Sequence, residues 1–237
     1  MGVVITVSRQ LGSQGSYMAT EVARRLDYRY LDREILQRAA EIAGYPDEQM
    51  VRALAEREQT SGFLQTILNS LNTMPPVPSV PSATLREGYA YADIVSSMVS
   101  EEVIAQQERE RAATGYADLV REVIQSYAET GDVVIAGRGG QVILRNRRNA
   151  LHIRVFAPLE TRIRTLITRQ QIGSDEAETR IRKSDRQRAR YLQRLHDVDW
   201  DDPNLYHLVI NSGEVPVPMG ASIIVEAARW VASTLST

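Results

Sequence analysis

With 237 residues, 43% of them hydrophobic and 24% charged, the chain has ordinary globular composition and length for one large α/β domain or two small ones. Cysteine is absent, which excludes disulfides, thiolate metal sites and cysteine nucleophiles, and the three histidines, His152, His196 and His207, lack ligand spacing. The net charge of −2 gives no sign of a nucleic-acid or membrane-surface binder, and 27 of the 28 basic residues are arginine, Lys183 being the exception. No run reaches the roughly 18 apolar residues of a bilayer span. Met1–Val7 lacks the basic start and long apolar stretch of a signal peptide, so a cytoplasmic protein is expected.

Val3–Val7 is a β-branched run, apolar at nearly every position, and reads as a strand buried on both faces. Ser8–Gly15 (SRQLGSQG) follows as a loop. Ser16–Leu26 carries Met18, Val22, Ala23 and Leu26 at helical spacing. Asp32 can cap a second helix with Ile35, Leu36 and Ala39 on one side. Residues 46–73 read as helix. Thr73–Pro81 has four prolines in nine residues and reads as an ordered loop or hinge. Residues 84–130 read as mostly helical, with a break near Thr114-Gly115.

The α/β rhythm then resumes. Val133–Ala136 is a strand ending in Gly137-Arg138-Gly139-Gly140, and Leu151–Phe156 is another. Pro158 fits the first turn of a helix continuing over Leu159–Thr168. Asp175–Leu195 is a long, arginine-rich helix, Leu205–Ile210 a strand ending at Asn211-Ser212-Gly213, and Ala221–Leu235 a closing amphipathic helix. Strands alternating with helices predict a parallel sheet with helices on both faces.

A strand feeding a glycine loop into a helix is an arrangement that binds phosphate, through backbone N–H groups and the helix N-terminus. Gly12 and Gly15 permit close backbone approach, and Ser13 and Ser16 offer hydroxyls. The plainer reading of the same residues is a tight turn with a serine N-cap. The pattern G-x-x-x-x-G-K-[ST] is absent, since the one lysine lies far away at Lys183. Any phosphate held here needs an arginine, and Arg9 is the nearest.

Ile5–Asp32 (ITVSRQLGSQGSYMATEVARRLDYRYLD) looks like the start of bacterial cytidylate kinases, and closer still to the cytidylate kinase-like family, whose members open with a similar S-R-Q-x-G-S-x-G. Ala136–Leu144 (AGRGGQVIL) is similar to that family's G-R-G-x-x-x-I-L. Phe156–Glu160, Asp185–Tyr191, Asp199–Pro203 and Leu205–Ser212 match as well. The resemblance implies a three-layer parallel-sheet P-loop kinase fold in a single domain. Its core is 2–36 and 131–237, with a long helical acceptor-side insertion over 37–130 and a lid over 169–194.

It further implies transfer of the ATP γ-phosphoryl group to a nucleoside monophosphate or similar small acceptor, with ATP and Mg²⁺ as cofactors. Carried over residue by residue, Gly12, Ser13, Gln14, Gly15 and Ser16 would hold phosphate, with Arg9 nearby as the nominated cation and Ser16 the candidate magnesium hydroxyl. Arg138 would be catalytic by meeting the acceptor monophosphate, and the lid residues Lys183, Arg186 and Arg190 would act on the transferring group. Asp32, Arg33 and Asp185 would bind acceptor, and Asn211 and Ser212 would line the adenine loop. Cytidylate kinases have lysine where this chain has Gly15, their hydroxyl at Tyr17, and aspartate at Gly139.

Plainer roles compete. Arg182 and Arg194 fit surface charge, as do Arg145, Arg147 and Arg148. Arg138 can pair with a carboxylate, and Asp32 can be only a cap. Trp200 with Tyr206 fits a packing anchor, and Tyr28, Tyr30, Tyr89 and Tyr91 fit core or interface packing; His196 and His207 fit structural roles. Three functions follow: an active nucleotide kinase, a nucleotide-binding regulatory protein that has lost transfer chemistry, or an interaction protein using the insertion as a homodimer face.

Overall fold

The structure, a computed structural model, describes residues 2–32, 35 and 117–235. Arg33, Tyr89, Tyr91, the proline-rich segment and nearly all of the expected insertion lie outside them.

Five strands form one parallel sheet, β1 (Val4–Arg9), β2 (Arg29–Leu31), β3 (Val133–Ala136), β4 (Ala150–Phe156) and β5 (Leu208–Asn211), in the order β2-β3-β1-β4-β5. The helices are α1 (Gly15–Leu26), the single-turn α2 (Gly140–Ile143), α3 (Leu159–Gln170), α4 (Ser174–His196) and α5 (Val217–Thr234). Residues 119–130 are also helical, with Val120, Val123, Ile124 and Ala128 buried. Three helices stop on left-handed residues that are not glycine: Asp27, Gln171 and Asp197.

The two faces of the sheet differ chemically. Val3, Ile5 and Val7, with Leu151, Ile153 and Val155, pack against Met18, Ala19 and Val22 of α1 and Ala221, Ile224 and Ala228 of α5. The two helices approach closely at Gly220, where a Cβ would lie 2.4 Å from Met18 Cε. The opposite face carries Thr6, Ser8, His152 and Arg154, all buried. The register sets Thr6 beside His152 and Ser8 beside Arg154. Gly140 of α2 covers Thr6 there.

Arg154 is partnered on every side. Nη1 donates to the Trp200 carbonyl at 2.7 Å and to the Tyr206 hydroxyl at 3.3 Å, and Nη2 donates to Asp201. The Trp200 and Tyr206 rings lie 4.3 and 5.5 Å from its Cζ, a double cation–π contact. Trp200 Nε1 donates to Ser8 Oγ at 2.8 Å, which fastens residues 200–206 to the end of β1.

The elements depart from the sequence pattern at several ends. β1 runs on to Arg9, because polar Ser8 and Arg9 continue the pairing with β4. Leu205, expected to open the last strand, instead ends a 3₁₀ turn over Pro203–Leu205, capped by Asp202, whose carboxylate accepts from Asn204 N, and β5 starts only at Leu208. Pro158 stands just before α3 as its N-cap residue rather than in its first turn.

His152 yields a pH prediction. Its Nδ1 lies 2.8 Å from Thr6 Oγ1, and its ring stacks on His207 at 4.8 Å. Burial, with His207 beside it, pushes its pKa down to about 4. The folded protein thus keeps this imidazole neutral where an unfolded histidine, of ordinary pKa 6.5, takes up a proton. Acidification through that window favours the unfolded chain, by about 3 kcal/mol at its lower end. Urea unfolding of the unaltered protein at pH values from about 7 to 4 should show this loss, and His152→Leu should flatten the slope over that range.

Candidate functional site

The glycine loop leaves β1 at Arg9 and enters α1 at Gly15. Gly12 has φ +82° and Gln14 φ +59°, so the loop turns twice through the left-handed region. Gln14, not a serine, is the N-cap of α1, and its side chain makes no cap bond. Ser13 is buried: its hydroxyl donates to the Gln10 carbonyl at 2.9 Å and receives Gly15 N–H at 3.4 Å. Leu11 packs into a small apolar cluster with Leu166 of α3 and Ala177 and Ile181 of α4. A Cβ on Gly12 would meet the Arg162 carbonyl oxygen at 2.8 Å and Leu166 Cδ1 at 2.9 Å. The loop is therefore clamped from behind by α3.

Arg9 lies at the centre of the carboxyl edge of the sheet. Its Nε donates to Ser16 Oγ at 3.2 Å and its Nη2 to Asp32 Oδ2 at 2.7 Å. Its stem passes Gly15, where a Cβ would lie 2.6 Å from Arg9 Cβ. Its Nη1 passes Gly137, where a Cβ would lie 2.4 Å away. One side chain thus touches the ends of β1, β2 and β3 and the start of α1. Tyr30, from β2, contacts Asp32 at 3.4 Å, and burial beside Asp32 raises its pKa.

The turn after β3 is left-handed at three successive residues, Gly137 (φ +81°), Arg138 (φ +60°) and Gly139 (φ +72°). A non-glycine residue in that region costs on the order of 1 kcal/mol, and such strain concentrates at functional sites. Gly139 packs on α4, its hypothetical Cβ 2.8 Å from His196 Nε2. Arg138 is half-buried between these glycines.

The remaining expected residues are distributed as follows. Asp185 accepts from Arg162 Nη1 at 2.7 Å, which ties α4 to α3 behind the glycine loop. Lys183 is half-buried and Arg186 and Arg190 are exposed on α4, and none of the bonds above links them to the loop. Arg182 pairs with Glu178 on the surface. Ser212 Oγ donates to the Ser13 carbonyl at 2.6 Å, which fastens the turn after β5 to the glycine loop. Asn211 Oδ1 receives Gly213 N–H within its own turn. Asp32 is bound to Arg9, and nearly all of the helix expected to start from it falls on residues outside those described.

Two arginines close to the loop escape the sequence pattern. Arg162 is hidden in the apolar stripe of α3, and Arg169 lies over the Tyr17 ring at 3.8 Å with Nη2 3.4 Å from Gln14 Oε1. A cavity of about 460 Å³, lined by Arg24, Arg25 and Arg229 among others, lies at the opposite end of α1. Its arginines are paired with Glu21 and Glu226, so it offers no unspent charge.

An all-parallel sheet in this strand order, flanked by helices and with a glycine turn feeding the first of them, is the P-loop kinase type of fold. The sequence model of the cytidylate kinase-like family matches residues 4–214, and the chain belongs to that family. It is similar to the cytidylate kinase of Pyrococcus horikoshii, 31% identical over 145 residues, which is 59% of this chain and 73% of that protein. It is also similar to the cytidylate kinase of Pyrococcus abyssi, 30% identical over 59% of this chain and 78% of that protein. An uncharacterized protein from Eubacterium ventriosum shares the fold, with TM-score 0.59 and 15% identity over 96% of this chain and 98% of that one.

Such a family implies magnesium. Ser16 Oγ and Asp32 Oδ2 are oxygen donors of the right kind, but both are engaged by Arg9. Among the described residues no three His, Asp or Glu side chains cluster as a metal site, so a magnesium ion would have to arrive on nucleotide phosphates and take one or two of these oxygens.

Proposed function

We propose that the protein is a cytidylate kinase-like phosphotransferase that moves the γ-phosphoryl group of ATP to a nucleoside monophosphate or similar small acceptor. An acceptor oxygen forms the new bond to γ-phosphorus as the bond to the ADP oxygen breaks. Such chemistry asks a protein mainly for positioning and for directed hydrogen-bond donors. The observation that carries the reading is the meeting of Arg9, Ser16, Asp32 and Gly137 at the carboxyl ends of three adjacent parallel strands, where ligands of open α/β sheets bind. Gly12 to Ser16 would cradle phosphate and Arg138 would meet the acceptor phosphate. Lys183, Arg186 and Arg190 would close over the transferring group, with the Asn211-Ser212 turn against adenine. Gly139 in place of aspartate argues against strict cytosine recognition.

Turnover of ATP with a panel of nucleoside monophosphates tests this, and transfer to at least one of them is the expected result. The competing reading, a nucleotide-binding regulatory protein, is favoured by Gly15 and Tyr17 in place of the usual lysine and hydroxyl. Calorimetric binding of ATP without transfer to any acceptor would establish it instead. No helix among the described residues is long and apolar enough to cross a membrane.

A further inference from the structure

The phosphate-loop pattern normally carries its cation on the residue that opens the helix. Here that residue is Gly15, and its emptiness has a structural cause. The Arg9 stem occupies the space a side chain at 15 would need, with 2.6 Å to Arg9 Cβ and 3.0 Å to Val155 Cβ. Contacts that short to a strand residue's own Cβ are not relieved by swinging a flexible chain end. A side chain at 15 and a side chain at 9 therefore exclude one another, and Arg9 is the one this chain keeps.

The guanidinium is also aimed. Nε is held by Ser16 and Nη2 by Asp32, two bonds that fix the plane of the fork. The Arg9–Asp32 pair is mostly buried, at 15% and 26% side-chain exposure, so the arrangement is more than a surface ion pair. Among the described residues Nη1 has no hydrogen-bond partner. It lies over Gly137, and any side chain there would fall 2.4 Å from it and cover it. Gly137 thus keeps open the one edge of the fork that Ser16 and Asp32 leave unused.

We infer that the phosphate-binding cation of this loop has moved from the helix to the strand. Arg9 holds the polyphosphate through its Nη1 edge, Ser16 and Asp32 are its positioning residues, and glycine at 15 and 137 is what admits it. The inference rests on the kinase reading for its ligand, a nucleoside triphosphate, but its chemistry is that of any polyphosphate. An Arg9 fork directs two N–H donors along fixed lines, where an ammonium on a free stem is a point charge.

Calorimetric titration with ATP and with inorganic tripolyphosphate separates the two ideas. The variants are Arg9→Met, Gly15→Lys and the double change Arg9→Gly with Gly15→Lys, each checked for folding by thermal melting. Arg9→Met should weaken both probes about tenfold or more, the scale of hydrogen bonds to a charged group. Gly15→Lys alone should also weaken them, because lysine and Arg9 collide. The double variant should bind better than either single one, a non-additivity that independent roles would not give.

Binding unchanged in Arg9→Met, or a folded double variant no better than Arg9→Met, overturns the inference and leaves the kinase reading intact. Tripolyphosphate binding that depends on Arg9, with no ATP binding in the unaltered protein, supports the inference and overturns the nucleotide reading. Failure of the unaltered protein to bind either probe at millimolar concentration overturns both. Should Arg9→Met not fold, Arg9→Lys carries the same test, because it keeps the stem and charge and loses the fork.

Discussion

A Gly12→Ala variant should lose about 3 kcal/mol of stability and its affinity for ATP. Two costs combine. The residue has φ +82°, where an L side chain is strained by 1–2 kcal/mol or so. The added methyl also meets backbone, the Arg162 carbonyl oxygen at 2.8 Å, with Arg162 Cβ and Leu166 Cδ1 each at 2.9 Å. Either the glycine loop lifts off α3 or α3 shifts, and both outcomes displace the loop that would cradle phosphate. Urea unfolding and ATP titration measure the two effects. Gly173→Ser is the control: that glycine has extended backbone at the N-cap of α4, with no atom within 4 Å of where a Cβ would stand, and serine is favoured at such caps. It should be neutral or stabilising. A Gly12→Ala protein as stable as the unaltered one would show that α3 does not clamp the loop.

Arg162→Met is expected to cost about as much, roughly 3 kcal/mol, by a different route. Arg162 and Asp185 are mostly buried, at 8% and 22% side-chain exposure, and Nη1 donates to Oδ2 at 2.7 Å. Removing the guanidinium leaves a mostly buried carboxylate without its partner, which is costlier than having neither group. The double variant Arg162→Met with Asp185→Leu should therefore recover most of the loss, measured by thermal melting. The same pair of variants tests what else Asp185 does. If it also binds the acceptor, the double variant regains stability but not kcat/KM for the acceptor. If its role is to hold α4 against α3, both return together.

The alternation of strands and helices was legible because parallel strands buried on both faces read as continuous apolar runs. Val3–Val7 and Val133–Ala136 are of this kind, whereas Leu151–Phe156 alternates its apolar residues with His152 and Arg154. β2 offered no such signal: it is three residues long and begins with exposed Arg29. The turn at Pro203–Leu205 hid beside β5, because Leu205 and Tyr206 are apolar like the strand they precede.

Arg9 could be nominated from its nearness to the glycines, but its bond to Asp32 spans 23 residues and depends on β2 lying in the same sheet. Arg154 and Arg162 stand out less, because buried arginines are rare and a charged residue ordinarily marks the surface. The signal was present nonetheless. Arg154 falls on an inward position of an apolar strand, and Arg162 falls four residues before Leu166 on the inward stripe of its helix. An arginine where the period demands an apolar side chain marks a charge with a partner waiting.

The chemical contrast between the two sides of the sheet also bears on how the chain threads itself correctly. Shifting β4 by one residue against β1 would turn Arg154 toward Met18 and Ile224 and expose Ile153 to Trp200 and Tyr206. Purely aliphatic neighbouring strands slide past one another with little penalty, whereas here a slipped alignment would strand a guanidinium in hydrocarbon. The polar quartet of Thr6, Ser8, His152 and Arg154 thereby acts as a key that lets the two central strands close in one alignment only.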